Sequence, residues 1–250
     1  MIEIRDLTKR YGDFTAVDRL SLVAAAGEIF GFLGPNGAGK TTTIRIISGL
    51  SLPTIGTVRV NGIDVLLDPV RAKSVMGYVP DRPYLYEKLT GRELLHFVAD
   101  LYRKDWQECE PKAVELLRWF GLGDWIDARI ENLSHGMKQK LVIVSALVHD
   151  PAVLVIDEPM VGLDALAQRQ VKQLFRRLAN EGKTIFLTTH TLSVAEAVCD
   201  RIAIINRGRI IVTGTTRELK RESALDDAGG CLDVPKKTGV VVQKRQCPLQ

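Results

Sequence analysis

Gly34-Pro35-Asn36-Gly37-Ala38-Gly39-Lys40-Thr41-Thr42 follows the pattern G-x-x-x-x-G-K-[ST] of a phosphate-binding loop. Its glycines let the backbone curl tightly, so that N–H groups point inward at an anion. Lys40 can reach the β- and γ-phosphates, and the Thr41 hydroxyl is placed to bind Mg²⁺. Just upstream, Glu28-Ile29-Phe30-Gly31-Phe32-Leu33 is a short, mostly apolar run, as expected of a buried parallel strand. Downstream, a helix is expected from Lys40 to about Gly49, with its positive N-terminal end aimed at the same phosphates. Strand, glycine-rich loop and helix, in that order, separate a phosphate site from a merely flexible turn.

The chain has 250 residues, 46% hydrophobic and 26% charged, with a net charge of +4. That is ample apolar material for one domain, or for a domain with an insert. The mild basicity is weak evidence for a nucleic-acid or membrane surface. Met1–Asp6 is already charged, so no signal peptide is expected. No apolar run approaches the ~18 residues that a bilayer span needs. A cytosolic chain is therefore expected. Cys109, Cys199, Cys231 and Cys247 show no metal-ligand or redox spacing, which favours reduced thiols.

Residues 2–9 alternate apolar and polar and read as a half-exposed strand, with Val17–Val23 as a second, paired antiparallel. Tyr11, at the turn between them, either stacks on a base or covers a core edge. Residues 56–62 form a strand closed by an Asn61-Gly62 turn. Asp68–Lys73 is a short helix and Ser74–Val79 a buried strand, which runs into a rigid loop, Pro80–Tyr86, with exposed aromatics. The pattern then turns helical up to about His149. Thr90 and Glu93 form a capping box, Pro111 starts a helix to Phe120, and Gly121 ends it. With no strand signal in it, this stretch is a helical insert, about 87–150, in an otherwise α/β chain.

Ala152–Pro159 holds five apolar residues and then Asp157 and Glu158. In open parallel sheets ligands lie beyond the C-terminal strand ends. Asp157 would thus face the Mg²⁺ beside Thr41, and Glu158 the water near the γ-phosphate. Ala165–Asn180 is an amphipathic helix stopped by Gly182, and Thr184–Thr188 another buried strand, with His190 beyond its end. Arg201–Asn206 and Arg209–Thr213 form an edge hairpin, followed by a short helix to Arg221. Residues 223–250 carry no motif or periodicity and read as a loosely ordered tail.

Taken together, these residues resemble the ATP-binding subunits of ABC transporters over about residues 2–220. Tyr11 matches the aromatic that stacks on adenine, and Gly34–Thr42 the Walker A loop. Leu133-Ser134-His135-Gly136-Met137 stands in the place of the L-S-G-G-Q signature. Val153–Glu158 matches Walker B with its catalytic glutamate, Gly162-Leu163-Asp164 the D-loop, and His190 the switch histidine. The resemblance implies a P-loop NTPase core with a mainly parallel sheet, an N-terminal antiparallel β-subdomain and the helical subdomain, together spanning about 1–222. It implies ATP and Mg²⁺, with Thr41, Asp81 and Asp157 toward the metal and Glu158, His190 and Lys40 as catalytic groups. Two copies, or this chain and a close relative, would close head to tail around two ATP. Ser134 and Gly136 would touch the other copy's γ-phosphate, and Asp164 would link the sites.

Three positions depart from the family pattern. Asp81 stands where glutamine is usual, which removes an amide donor and adds a charge; His135 replaces a glycine; Met137 replaces a glutamine. Met137 followed by Lys138-Gln139 looks like the signatures of ATPases that serve exporter-type permeases. The leading expectation is thus an ATPase that drives export through a separate transmembrane permease, held on the inner face of the membrane. Pro80–Tyr86 and the helical insert would be the docking surface. An ABC-type protein acting on nucleic acid or ribosome fits less well: there is one Walker A loop, no heptad insert and no strong basic face. A non-hydrolysing module fits less well because Glu158 and His190 are both present.

Overall fold

A computed structural model describes residues 1–219. The expected tail at 223–250 and the end of the helix expected to reach Arg221 lie outside the described residues.

The chain opens with two long antiparallel strands, β1 (Ile2–Tyr11) and β2 (Phe14–Ala24). Both run on to the hairpin tip, so β2 begins earlier than Val17. Next come β3 (Ile29–Leu33), α1 (Lys40–Ile47), β4 (Ile55–Val60), β5 (Ile63–Asp64), α2 (Pro69–Ser74) and β6 (Met76–Val79). The turn between β4 and β5 is the expected Asn61-Gly62 pair, both at positive φ (50° and 80°), as a tight hairpin turn demands. Ser48 caps α1, which ends before Gly49.

The helical insert holds α3 (Gly91–Leu101), α4 (Trp106–Trp119) and α5 (His135–Ser145), with two 3-10 turns before α5. The Thr90–Glu93 capping box on α3 is present in both directions. Pro111, expected to start a helix, lies inside α4 instead. The true start is set by Asp105, whose carboxylate accepts the Gln107 N–H (2.8 Å). Trp106, stacked on His96 (5.4 Å between rings), anchors the first turn to the insert's core. One backbone bond missing at Pro111 does not outweigh the cap and that anchor.

After the insert come β7 (Val153–Asp157), α6 (Ala165–Asn180), β8 (Thr184–Thr189), α7 (Leu192–Val198), β9 (Arg201–Asn206) and β10 (Arg209–Thr215). The second sheet has the order β10-β9-β3-β8-β7-β6, parallel except for the β10 edge, and the first has the order β2-β1-β4-β5. Side chains of the parallel strands alternate between two cores. Phe30, Phe32, Val153, Val155 and Phe186 pack with α1 and the antiparallel sheet. Ile29, Leu33, Leu154, Ile156, Ile185 and Leu187 pack with α6, α7 and the helical insert. Phe30 and Phe186 stack at 5.6 Å, and each fully buried aromatic contributes about 2–3 kcal/mol of burial. This buried platform fixes the carboxyl ends of β3, β8 and β7 side by side. Among the described residues, no helix is long and apolar enough to cross a membrane.

Candidate functional site

At the carboxyl ends of those strands lies a cleft of about 330 Å³, lined by Phe14, Ala16, Asn36, Gly37, Gly39, Lys40, Thr41, Thr42, Asp81, Asp157 and Glu158. The loop after β3 is shaped for it. Gly39 has φ 109°, and a Cβ there would lie 2.6 Å from the Ala16 carbonyl oxygen, so only glycine fits. The loop's first residue is tied back to β8 by the Gly34 N–H donating to the Thr189 carbonyl (3.3 Å). Gly34, Pro35 and Ala38 shape the loop without lining the cleft.

Lys40 is 6% exposed, and its Nζ donates to the Gly34 (2.7 Å) and Pro35 (3.2 Å) carbonyls. The same ammonium is 3.9 Å from Glu158 Oε1. Glu158 Oε1 also meets His190 Nδ1 at 2.8 Å. Thus the segments after β3 and β8 each deliver one group, Lys40 and His190, to the Glu158 carboxylate that follows β7. Glu158 sits at φ 50°, a left-handed backbone that costs a non-glycine residue about 1–2 kcal/mol. Its N–H donates to Thr188 Oγ1 (3.3 Å).

Thr188 is the residue the sequence did not single out. Its hydroxyl donates to Asp157 Oδ1 at 2.5 Å while accepting from Glu158, so it fixes both carboxylates at once. Burial pushes the Asp157 carboxyl above its ordinary value, the Asp81 and Glu158 charges push the same way, and the Thr188 and Thr41 hydroxyls oppose them. The Tyr78 phenol is pushed up to about 12, by burial first and then by the Asp157 and Asp81 charges. Negative charge so concentrated calls for a cation. Thr41, Asp81 and Asp157 are hard oxygen donors on one cleft wall, a set that suits Mg²⁺. Among the described residues no three His, Cys, Asp or Glu side chains form a cage of their own.

The hairpin tip brings two aromatics to the mouth. Phe14, 64% exposed, lines the cleft; Tyr11, its cross-strand partner, does not, and carries the Lys9 ammonium 4.8 Å above its ring. Ser134, His135, Gly136 and Asp164 form a separate, outward-facing patch. Ser134 caps α5 through the Met137 N–H (3.3 Å), and Asp164 caps α6 through the Ala167 N–H (2.7 Å). Ser134, His135 and Asp164 are exposed, and Gly136 is half-buried.

Fold and cleft define a phosphate-loop nucleotide-binding domain with a helical insert. The family model described as "ABC transporter" matches residues 17–161. The Nod factor export ATP-binding protein I of Rhizobium meliloti is 40% identical over 230 residues, 92% of this chain and 67% of that protein. Other relatives are matched over as little as 39% of their own length. Among solved structures, an ATP-binding subunit of an ABC transporter superposes with a TM-score of 0.85 at 35% identity, over 90% of this chain and 94% of that one. The dimeric ATP-binding cassette MJ0796, in a post-hydrolysis state with ADP and Pi, gives 0.77 at 27%, over 87% and 99%. The chain belongs to the ABC transporter family, among its ATP-binding subunits.

Proposed function

We propose that this chain hydrolyses ATP in a head-to-tail dimer and so drives export through a separate transmembrane permease, on the inner face of the membrane. The observation that carries the reading is the convergence on Glu158 of Lys40 (3.9 Å) and His190 (2.8 Å) at the rim of the phosphate loop. Phosphate oxygens draw Lys40 away from the Gly34 and Pro35 carbonyls, which leaves Glu158 free to take the proton of an attacking water. His190, bonded to that carboxylate through Nδ1, aligns it and meets the γ-phosphate with the rest of its ring. Thr41, Asp157 and Asp81 would hold Mg²⁺, which would supply charge neutralisation on the phosphates.

Tyr11, on the hairpin tip beside Phe14, is the stacking face offered to the base, while the loop residues Gly34–Thr42 take the phosphates. The exposed caps of α5 and α6 serve the second copy. Ser134 and Gly136 present N–H groups to its γ-phosphate, and Asp164 reaches across the seam. The dimeric, ADP- and Pi-bound cassette resembled over 87% of this chain supports that arrangement. The export direction is supported by Met137-Lys138-Gln139 and by a relative named for export. Exposed Tyr84, and exposed Tyr86 whose ring meets Phe97 of the insert edge-on (5.6 Å), offer the permease an aromatic surface.

Phosphate release from ATP tests the reading. Glu158→Gln should lower kcat by a factor of about 100 or more while ATP still binds, as removal of a general base does. Lys40→Ala should weaken ATP binding itself. Parental turnover in Glu158→Gln would remove Glu158 from the chemistry.

A further inference from the structure

The patch that faces the second copy is built around a contact within one chain. Gly162 has φ 76°, and a Cβ added to it would lie 2.5 Å from His135 Cδ2 and 2.7 Å from His135 Nε2. The imidazole occupies the space that a side chain at 162 would take. On the next α5 residue, a Cβ at Gly136 would lie 3.1 Å from the Gly162 carbonyl oxygen. Gly162 is therefore pressed against two successive residues of the α5 start. The rest of its loop is braced as well. Gln168 Nε2 donates to the Leu163 (3.0 Å) and Met160 (3.5 Å) carbonyls, and the Val161 N–H donates to the Glu158 carbonyl (3.2 Å). A continuous set of contacts runs from His135 through Gly162 and Val161 to the backbone of Glu158. The glycine usual at position 135 in the resembled signature would leave that side of Gly162 open.

We propose that His135 is a positioning residue: its ring locks the start of α5 to the loop 159–163, so that the segment facing the other copy and the backbone carrying Glu158 move as one body. The role is one of shape, since the ring fills a gap that only a glycine at 162 provides. Its effect on rate rests on the reading of Glu158 as the base; the contact itself does not.

The test has two independent readouts on the full chain: hydrogen exchange of the 160–164 amides without nucleotide, and steady-state ATP turnover. His135→Ala should speed exchange at Val161–Leu163 at least fivefold, with β7 and β8 unchanged. It should lower kcat three- to tenfold while KM for ATP stays within twofold. His135→Phe keeps a ring in the same space and should stay within twofold of the parent in both. Gly162→Ala should also lose kcat, because its Cβ would meet the His135 ring and a φ of 76° strains any side chain there. Parental exchange in His135→Ala, faster exchange without any change in kcat, or His135→Phe behaving as the alanine variant would each overturn the proposal. A parent that binds ATP but never turns it over would count against the hydrolase reading instead, and exchange alone would then decide the coupling.

Discussion

Thr188→Val removes one hydroxyl from the centre of the site and almost nothing else. Thr188 is fully buried at the end of β8 and Asp157 is 2% exposed. Valine keeps the branched shape, so no cavity opens. The donation to Asp157 Oδ1 (2.5 Å) is a charge-assisted bond in a dry place, worth about 1.5–3 kcal/mol. The Glu158 N–H loses its acceptor as well (3.3 Å), which adds about 1 kcal/mol. The expected loss is about 2.5–4 kcal/mol, or a fall in Tm of roughly 5–16 °C for a domain of this size. The variant should also need more Mg²⁺ for half-maximal turnover. Thr188 is foremost among the groups that oppose the burial-raised pKa of Asp157, and a metal requires that carboxylate ionised. Urea unfolding and a Mg²⁺ titration of ATP turnover are the assays. Thr188→Ser is the control: it keeps the hydroxyl and loses a methyl, at about 1 kcal/mol. The reasoning fails if the valine variant lies within about 0.5 kcal/mol of the parent, or if serine costs as much as valine.

Burial lowers the His149 pKa from 6.5 to about 4, in a ring stacked on Tyr102 (3.6 Å) and bonded through Nε2 to the Met76 carbonyl (3.1 Å). The unfolded chain takes up this proton before the folded one does. Stability from this group is therefore complete above about pH 6.5 and falls as pH drops toward 4, by about 2 kcal/mol between pH 7 and 5. His149→Phe should flatten that part of the curve of unfolding free energy against pH. Tyr11→Ala should raise the Kd for ATP about tenfold or more by removing a stacking face, whereas Phe14→Ala should change it less than about threefold; the reverse order, read by calorimetry, would move the base platform to Phe14. Asp81→Gln removes one of the two charges that raise the Asp157 pKa and should shift the Mg²⁺ dependence of turnover; an unchanged titration would take Asp81 out of the metal's shell.

The parallel core was legible because its strands are nearly pure apolar runs. Ile29–Leu33 and Val153–Asp157 are buried at every position. The phosphate loop, the two carboxylates after β7 and the Thr90 capping box were legible because each is a local device with its own spacing. Pro111 misled because a proline favours a helix start in general, while here the Asp105 cap and the Trp106 anchor hold one earlier. The length of the first hairpin was hidden by bulges: Asp6 and Arg19 take positive φ (48° and 47°), which breaks the alternation a reader counts. Thr188 was hidden for another reason. A threonine at a strand end is an ordinary strand former, and only the neighbouring strand shows what its hydroxyl holds. The fit of His135 against Gly162 joins segments distant in sequence, and no period or motif signals it.

The most direct test of the account is the solution mass of Glu158→Gln with and without ATP and Mg²⁺. The variant keeps Lys40, Thr41 and Asp157 and lacks only the base, so ATP should persist in the cleft. The account predicts a monomer without nucleotide and a doubled mass with ATP and Mg²⁺, dependent on Ser134 and Asp164. A protein that binds ATP with the expected Mg²⁺ requirement and stays monomeric at every concentration would contradict the self-paired, head-to-tail dimer at the centre of it.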